Sequence, residues 1–209
     1  MFYFVRTPGW IKKLFKACVW EIKDTRKVIY LSFDDGPDPE ITPFVLDELD
    51  KYDAKATFFC IGKNADAQPE LTRRIINEGH ALGNHTYDHL NGWKTDGRVY
   101  LDNILKAGKI INTVLFRPPY GRITNKTVKV ITAQPYGFKV IMWSVLSGDF
   151  DNSISPEKCF VNIIKNAGSG SIVVFHDSKK ADIRMRYSLP RVLKYFSEQG
   201  FTFEKITVN

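Results

Sequence analysis

The segment 28–38 limits the possible folds of this chain more than any other stretch. An apolar run of strand-forming residues, VIYL, leads without a turn signal into two adjacent carboxylates, Asp34 and Asp35, and a Gly-Pro pair then ends the segment. This pattern predicts a buried strand that carries acids at its carboxyl end, although Asp before Gly-Pro is also typical of a turn. In parallel sheets, functional groups collect at the carboxyl ends of the strands, because the loops there do not pack the core.

Strand-like and helix-like segments alternate about seven times along the rest of the chain. Helices are predicted at 43–52, 69–78, 99–114, 125–133, 156–167 and 189–199, and the later strands at 56–61, 80–84, 115–117, 138–145, 171–175 and 201–206. The connections are short, and no internal repeat or low-complexity linker separates the segments. This order predicts a single domain with a mostly parallel sheet, either open or closed into a barrel.

The composition fits one globular domain. The chain has 209 residues, 44% of them hydrophobic and 13% aromatic, which is enough for one large core. The formal net charge is +7, but Lys and Arg are scattered and no basic motif accompanies them, so nucleic acid is not a predicted partner. The three cysteines, Cys18, Cys60 and Cys159, form no CxxC pair and are predicted to be reduced.

The first 27 residues are predicted to form an extension that packs on the main domain. Basic residues interrupt the apolar runs of residues 1–20, and these runs are too short for a signal-peptide core or a membrane span. Neither an export signal nor a transmembrane helix is therefore predicted, and a cytoplasmic location is the default expectation. A surface amphipathic helix over 10–20 is the alternative to simple packing.

The four histidines, His80, His85, His89 and His176, each lie at or near the end of a predicted strand. His85 and His89 are four residues apart, so a helical turn would place both on one face, as two nitrogen ligands of a divalent metal require. This spacing alone is weak evidence, but two histidines and one carboxylate are a common catalytic ligand set. Adjacent strand residues point to opposite sides, so one acid of the pair can face a metal while the other accepts a proton.

Five segments of the chain, taken in order, resemble the motifs of one enzyme family. They are SFDDGPD at 32–38, HTYDH at 85–89, RPPYG at 117–121, WSVLSGDFD at 143–151 and VVFHD at 173–177. Together they resemble the motifs of the polysaccharide deacetylases, the NodB-homology or chitooligosaccharide deacetylase domain of carbohydrate esterase family 4. The resemblance covers about residues 28–206, and five motifs in the right order are a specific signal.

The resemblance implies a distorted (β/α)7 barrel, with residues 28–209 as the catalytic domain. It also implies one divalent metal ion, most simply zinc, with cobalt, nickel or manganese as alternatives. By the same resemblance, the ligands of this ion would be Asp35, His85 and His89.

The other family roles also fall on residues of this chain. Asp34 would be the general base, held in position by Arg117, and His176 the general acid, paired with Asp149. Substrate contacts are implied for Pro118, the backbone N–H of Tyr120, and the acetyl-pocket walls Trp143 and Val174. Trp93 is either a sugar-stacking platform or a residue buried against the barrel.

The fourth motif departs from the family pattern, which is usually an acid, two further residues and then Asp-Trp. Leu146 stands at the position of the first acid and Phe150 at that of the tryptophan, while Asp149 is retained. A milder change is Val174, where leucine is commoner. These departures affect the expected shape of the cleft more than the expected pairing of Asp149 with His176.

The expected function is a metal-dependent hydrolase that removes N-acetyl groups from amino-sugar polymers or oligomers such as peptidoglycan or chitin-like glycan. Two alternatives remain at this point. One is a hydrolase of another small amide or cyclic imide on the same scaffold. The other is a catalytically silent glycan-binding homologue.

Overall fold

One curled sheet of parallel strands forms the centre of the molecule. The computed structural model describes residues 3–207, so residues 1, 2, 208 and 209, at the outer ends of the two predicted units, lie outside the description. The strands are β1 (Val28–Asp34), β2 (Thr57–Cys60), β3 (Ala81–Asn84), β4 (Leu115–Phe116), β5 (Lys139–Val140), β6 (Val145–Leu146), β7 (Ile172–His176) and β8 (Thr202–Phe203). The order β5-β4-β3-β2-β1-β7-β6, with β8 beside the start of β1, confirms the predicted single-domain, distorted (β/α)7 barrel.

Helices surround this sheet, and several of them have ends that differ from the sequence prediction. They are α1 (Gly9–Leu14), α2 (Ile41–Asp50), α3 (Gly62–Ala67), α4 (Pro69–Asn77), α5 (Gly97–Gly108), α6 (Asn125–Thr132), α7 (Pro156–Ile164) and α8 (Asp182–Ser197). Helix α3 was not predicted. The helix considered over 10–20 as the alternative to simple packing extends only to Leu14, and the predicted helix over 99–114 already ends at Gly108.

Helix α8 starts seven residues before its predicted beginning at 189, because its buried face continues towards the amino terminus through Met185. The predicted strand 138–145 is also wrong, since it consists of two short strands, β5 and β6, on opposite sides of the sheet order. The residues between them cross from one edge to the other. A continuous apolar run therefore contained a change of strand partner, which periodicity does not reveal.

The amino-terminal segment supplies the hydrogen bonds that these two edge strands lack. The N–H of Val19 donates to the carbonyl of Val140 at 2.8 Å, and the N–H of Met142 donates to the carbonyl of Val19 at 2.7 Å. On the other edge, the N–H of Leu146 donates to the carbonyl of Val5 at 2.8 Å. Since unpaired strand edges are costly when buried, these contacts join the segment firmly to the barrel.

Strand β1 separates two apolar layers by the alternation of its side chains. Ile29, Leu31 and Phe33 face the helices and belong to the largest core cluster, together with residues of α2, α7 and α8. Val28 and Tyr30 belong to a second cluster, contributed by several strands, in the interior of the curled sheet. The same period of two places Asp34 on the inner side, at the carboxyl end of the strand.

Two further expectations concern the whole described chain. Within residues 3–207, no helix is both long enough and apolar enough to cross a membrane. The three cysteines are buried and unpaired, as predicted. Burial raises the pKa of Cys18 to about 11 and, together with the charge of Asp149, the pKa of Cys159 to about 12, so both thiols stay protonated at neutral pH.

Phe33 gives a direct test of the outer core. Its ring is fully buried and stacks on Phe58 at 5.1 Å and on Phe175 at 5.9 Å between ring centroids. Phe33→Ala should lower the free energy of unfolding by about 3–5 kcal/mol, because it removes the ring and leaves a cavity. Urea unfolding measures this loss, and Val99→Ala, at a side chain that is 54% exposed, should change stability by less than about 0.5 kcal/mol. An equal effect of the two substitutions would contradict this description of the core.

Candidate active site

Arg117 holds Asp34 in place at the centre of the barrel rim. Asp34 is 4% exposed, and its Oδ1 accepts a hydrogen bond from Nη1 of Arg117 at 2.6 Å. Arg117 is fully buried; it also donates to the Oγ of Ser32 at 2.8 Å and to the carbonyls of Ile141 and Met142 at 3.1 and 3.0 Å. Charge-assisted hydrogen bonds of this kind orient the Asp34 carboxylate and leave its second oxygen for another partner.

Asp35 points away from this pair because the backbone turns immediately after the strand. Its φ of 81° lies in the left-handed region, which a non-glycine residue adopts only at a cost. Its Oδ1 lies 3.1 Å from Nε2 of His89 and 3.7 Å from Nε2 of His85. Asp34 therefore faces Arg117, while Asp35 faces the two histidines. The sequence analysis expected the two acids to point to different sides in this way.

The segment that carries His85 and His89 is a loop and not the helical turn considered from the spacing. Positive φ values at Thr86 (61°) and His89 (57°) fold it back instead, and the N–H of Thr86 donates to Oδ1 of Asn84 at 2.9 Å. The two imidazole centroids are nevertheless only 5.1 Å apart. The i, i+4 spacing thus identified two histidines whose rings lie close together, although a loop and not a helical turn brings them together.

Both histidines of this loop can present Nε2 towards Asp35. Nδ1 of buried His85 is hydrogen-bonded to the carbonyl of Arg117 at 2.8 Å, which requires a proton on Nδ1 and leaves Nε2 with a free lone pair. Burial lowers the pKa of His85 to about 4, so the ring is neutral at pH 7. Burial alone would raise the pKa of Asp35, but the hydrogen bond from His89 and the nearby histidine charges outweigh it and lower that pKa.

The donor atoms of these three residues fit a divalent cation. Oxygen or nitrogen from Asp35, His85 and His89 lie within 4.8 Å of one another, and the two distances from Asp35 to the histidines are 3.1 and 3.7 Å. Zinc binds such atoms at about 2.0–2.2 Å, so two ligands of one ion lie no more than about 4.4 Å apart. One carboxylate, two imidazoles and the oriented Nδ1–H of His85 form a suitable donor set, which leaves room for further ligands.

His176 lies on the neighbouring strand and is paired with Asp149. In the register of β1 with β7, His176 is the partner of Asp34. Nδ1 of His176 is 2.7 Å from Oδ1 of Asp149, and its backbone N–H donates to Oδ2 at 2.7 Å. Burial lowers the pKa of His176, but the charge and hydrogen bond of the fully buried Asp149 outweigh it and raise the pKa to about 10. The ring is therefore cationic at neutral pH.

The residues expected to contact substrate lie around the same rim with different exposures. Tyr120 is 60% exposed, and its ring centroid is 4.6 Å from that of His89. Trp143 is half-buried, and its ring centroid lies 5.9 Å from the guanidinium carbon of Arg117. Pro118 and Val174 are buried. The structure brings all of these close to the candidate site.

Trp93 lies further out and is 61% exposed, so of the two interpretations of this residue the buried one is wrong. Its indole N–H donates to the carbonyl of Ile123 at 3.1 Å, and the guanidinium carbon of Arg122 lies 5.3 Å from its ring centroid. The indole is thus fixed at both its nitrogen and its face.

Asp177 is a residue at the site to which the sequence analysis assigned no role. It is 1% exposed, accepts hydrogen bonds from the N–H of Gly36 at 3.0 Å and the Oγ1 of Thr42 at 2.5 Å, and so braces the turn that follows Asp35. Burial raises its pKa to about 8. The only local signal was its place directly after the histidine in VVFHD.

The two departures in the fourth motif have definite positions. The Phe150 ring packs against the His176 ring, with centroids 5.3 Å apart, and so still shields the His176–Asp149 pair as an aromatic residue. Leu146 is 7% exposed and lies beside Trp143 at the edge of the site. The pairing of His176 with Asp149 is preserved, and the loss of a charged side chain at position 146 affects only this edge of the site.

A parallel barrel with an arginine-bound carboxylate, a carboxylate-bound histidine and an Asp-His-His cluster at the carboxyl ends of its strands has the kind of site that hydrolases use. The family model described as polysaccharide deacetylase matches residues 21–139. A peptidoglycan-N-acetylglucosamine deacetylase of Bacillus cereus is 36% identical over 194 residues, which cover 90% of each chain. The chain belongs to the polysaccharide deacetylase family, whose domain is the NodB-homology domain of carbohydrate esterase family 4.

Solved structures agree with this assignment. A peptidoglycan N-acetylglucosamine deacetylase in complex with 4-naphthalen-1-yl-N-oxidanyl-benzamide superposes with a TM-score of 0.86 at 33% identity, covering 96% of this chain and 95% of the other. A CE4 family pseudoenzyme from Bacillus anthracis has the same fold, with a TM-score of 0.78 at 24% identity, covering 90% of this chain and 66% of the other. The fold alone therefore does not establish catalysis, and the side chains of the site have to carry that argument.

Removal of one candidate ligand tests the metal site. His89→Ala should weaken binding of Zn²⁺ by at least about 100-fold, because it deletes a ligand, and even changes to groups that only orient ligands cost about 10- to 100-fold. Isothermal titration of the metal-free protein at pH 7 with Zn²⁺, Co²⁺, Ni²⁺ and Mn²⁺ measures this change. His80→Gln is the matched control, since Nδ1 of His80 accepts the N–H of Ala56 outside the cluster. Equal metal affinity of His89→Ala and the unmodified protein would refute the site.

Proposed function

We propose that this protein hydrolyses the N-acetyl group of N-acetylglucosamine units in a glycan, with peptidoglycan as the first candidate substrate. The observation that carries the proposal is the pairing across the rim: Asp34 is fixed by Arg117, and His176 is fixed by Asp149 on the adjacent strand. A base and a cationic acid that face the same space are what amide hydrolysis requires.

Asp34 is suited to accept the proton of the attacking water. Its carboxylate is oriented by Arg117, and the register of the sheet places it opposite His176. A bound divalent cation would be held by Asp35, His85 and His89, and its charge would lower the pKa of a water molecule from about 16 towards about 7. Asp34 would accept the proton of this water as the water oxygen attacks the acetyl carbon.

His176 is suited to protonate the leaving amine. An amine leaves poorly unless it gains a proton, so the acid must be charged when the tetrahedral intermediate forms. Asp149 keeps it charged by raising its pKa to about 10. The backbone N–H of Tyr120 is the proposed donor to the oxyanion, and such donors are worth about 3–4 kcal/mol of barrier.

The openness of the rim favours a polymer over a small enclosed amide. Tyr120 and Trp93 are 60% and 61% exposed, and aromatic faces of this kind stack well on sugar rings. A small cyclic amide would instead call for a closed pocket with a basic anchor. The retained base, acid and ligand residues argue against a silent glycan-binding homologue.

Asp34→Asn tests the proposed base. Acetate release from N-acetylglucosamine oligomers and from peptidoglycan should fall by at least about 100-fold, since an amide cannot accept the proton. Asp38→Asn, in the same motif, is the matched control, because Oδ1 of Asp38 accepts the N–H groups of Glu40 and Ile41. A chelator should abolish the activity of the unmodified protein, and Zn²⁺ or another divalent ion should restore it. Undiminished activity of Asp34→Asn would refute the mechanism.

Asp149→Asn tests the electrostatic support of the acid. With Asp149 present, His176 keeps its proton until the pH approaches about 10, so kcat/KM should fall only on that alkaline side. Without the carboxylate, burial lowers the pKa of His176, and the charges of Asp35 and Asp34 are the influences that still raise it. The alkaline limb of kcat/KM for acetate release should therefore move from about pH 10 to lower pH.

The stability of the protein should show the same linkage. Because the folded pKa of His176 exceeds the unfolded value, its contribution is complete below about pH 6.5 and is lost as the pH rises through about 10. In Asp149→Asn this contribution disappears. The surface variant Glu198→Gln should leave both pH profiles unchanged, and an unshifted kinetic limb in Asp149→Asn would show that His176 is not the acid.

A further inference from the structure

An apolar groove of about 400 Å³ lies between the amino-terminal segment and the barrel. Trp10, Ile11 and Leu14 contribute to its outer wall, and Trp143 and Leu146 to its inner wall. All four tryptophans of the chain line it, and among residues 3–207 Thr7 is the only lining residue with a non-aromatic polar side chain. Residues of the third and fourth motifs line it together with the amino-terminal segment, which carries no motif.

The inner end of the groove adjoins the candidate active site through two side chains. Tyr120 lines the groove, and its ring lies 4.6 Å from that of His89. Trp143 lines it as well and lies 5.9 Å from the guanidinium of Arg117, which holds Asp34. Tyr120 and Trp143 therefore stand between the candidate site and the groove, and an acyl chain on an amide carbon that faces Asp34 would pass these two side chains to enter it.

Beyond Tyr120 and Trp93, whose exposed rings can stack on a sugar, the lining favours hydrocarbon over sugar. Sugar hydroxyls buried against such an apolar wall would lose their hydrogen bonds to water without replacement. Leu146 strengthens this preference, because it stands where the resembling family usually has an acid, and it is buried at the inner wall. The amino-terminal segment and the altered motif thus make the same space apolar.

We infer that this groove binds the acyl chain of an N-acylated amino sugar whose acyl group is longer than acetyl. The inference rests on the proposed function and specifies the substrate class of the same site. The water oxygen bonds to the acyl carbon, the amide C–N bond breaks with its electron pair leaving on nitrogen, and His176 protonates that nitrogen. The products are the longer carboxylic acid and the free amino sugar.

A chain-length series tests the inference kinetically. N-acyl glucosamine disaccharides with acyl groups of two, four, six and eight carbons are hydrolysed below their micelle concentrations, and both products are quantified. In the unmodified protein, kcat/KM should rise about two- to fourfold per added methylene until the groove is full. A fall with chain length, with acetate still released from the two-carbon substrate, would overturn the inference and leave the proposed function intact.

A pair of surface variants distinguishes a role of the groove from the general effect of adding a surface charge. Leu14→Asp places a carboxylate in the outer wall at a side chain that is 60% exposed, so the fold should persist. It should abolish the gain with chain length and leave the two-carbon rate unchanged. Ile183→Asp is the matched control at a 72% exposed side chain of α8 outside the groove, and it should keep the full gain. An unchanged gain in Leu14→Asp would overturn the inference.

Tryptophan fluorescence measures occupancy independently of turnover, because all four tryptophans line the groove. In Asp34→Asn, an N-(bromooctanoyl) glucosamine disaccharide should quench the emission saturably, and the N-acetyl disaccharide should not. Quenching only by phosphatidylglycerol vesicles with brominated chains would assign the groove to a membrane surface and overturn the inference. Failure to hydrolyse any member of the series, the acetyl substrate included, would remove the proposed function itself and the inference with it.

Discussion

A guanidinium buried at the centre of the barrel organises the candidate site. Arg117 has no exposure, and a buried charge costs several kcal/mol unless it is paired and hydrogen-bonded. Its partners are Asp34 and Ser32 on β1 and the carbonyls of Ile141 and Met142 in the crossing segment between β5 and β6. One side chain thus links the central strand to the most irregular part of the sheet. The carboxylate of Asp34 is oriented because the buried guanidinium of Arg117 requires a partner of opposite charge.

Two neighbouring strands, β1 and β7, each carry a charged group that is held by a partner of opposite charge. On β1, the positive charge of Arg117 orients the carboxylate of Asp34. On β7, the negative charge of Asp149 keeps His176 protonated. The parallel register of the strands aligns the two groups, so the placement of the carboxylate opposite the imidazole follows from sheet geometry. Asp35 faces away from Arg117 because of a further feature, the left-handed backbone at this residue.

The amino-terminal segment links the closure of the barrel to the shape of the site. The sheet order leaves β5 and β6 unpaired with each other, and residues 5, 7 and 19 hydrogen-bond to this region instead. The same segment places Trp10 and Leu14 opposite Trp143, which creates the apolar groove. Its backbone contributes to the sheet, and its side chains contribute a wall beside the active site. A change in this segment therefore affects both stability and the surroundings of the substrate.

The sequence by itself determined the alternating architecture and most of the candidate site. Strand periodicity, the acids after VIYL and the ordered motifs are local patterns, and local patterns identified Asp34, Asp35, His85, His89 and His176. Only the tertiary structure decided that 138–145 divides between two edges, that Asp177 braces the turn at Gly36, and that the amino-terminal segment forms a groove with Trp143. The reason is physical: these features depend on which distant segments meet in space, some of them more than a hundred residues apart, and local spacing along the chain carries no record of such contacts.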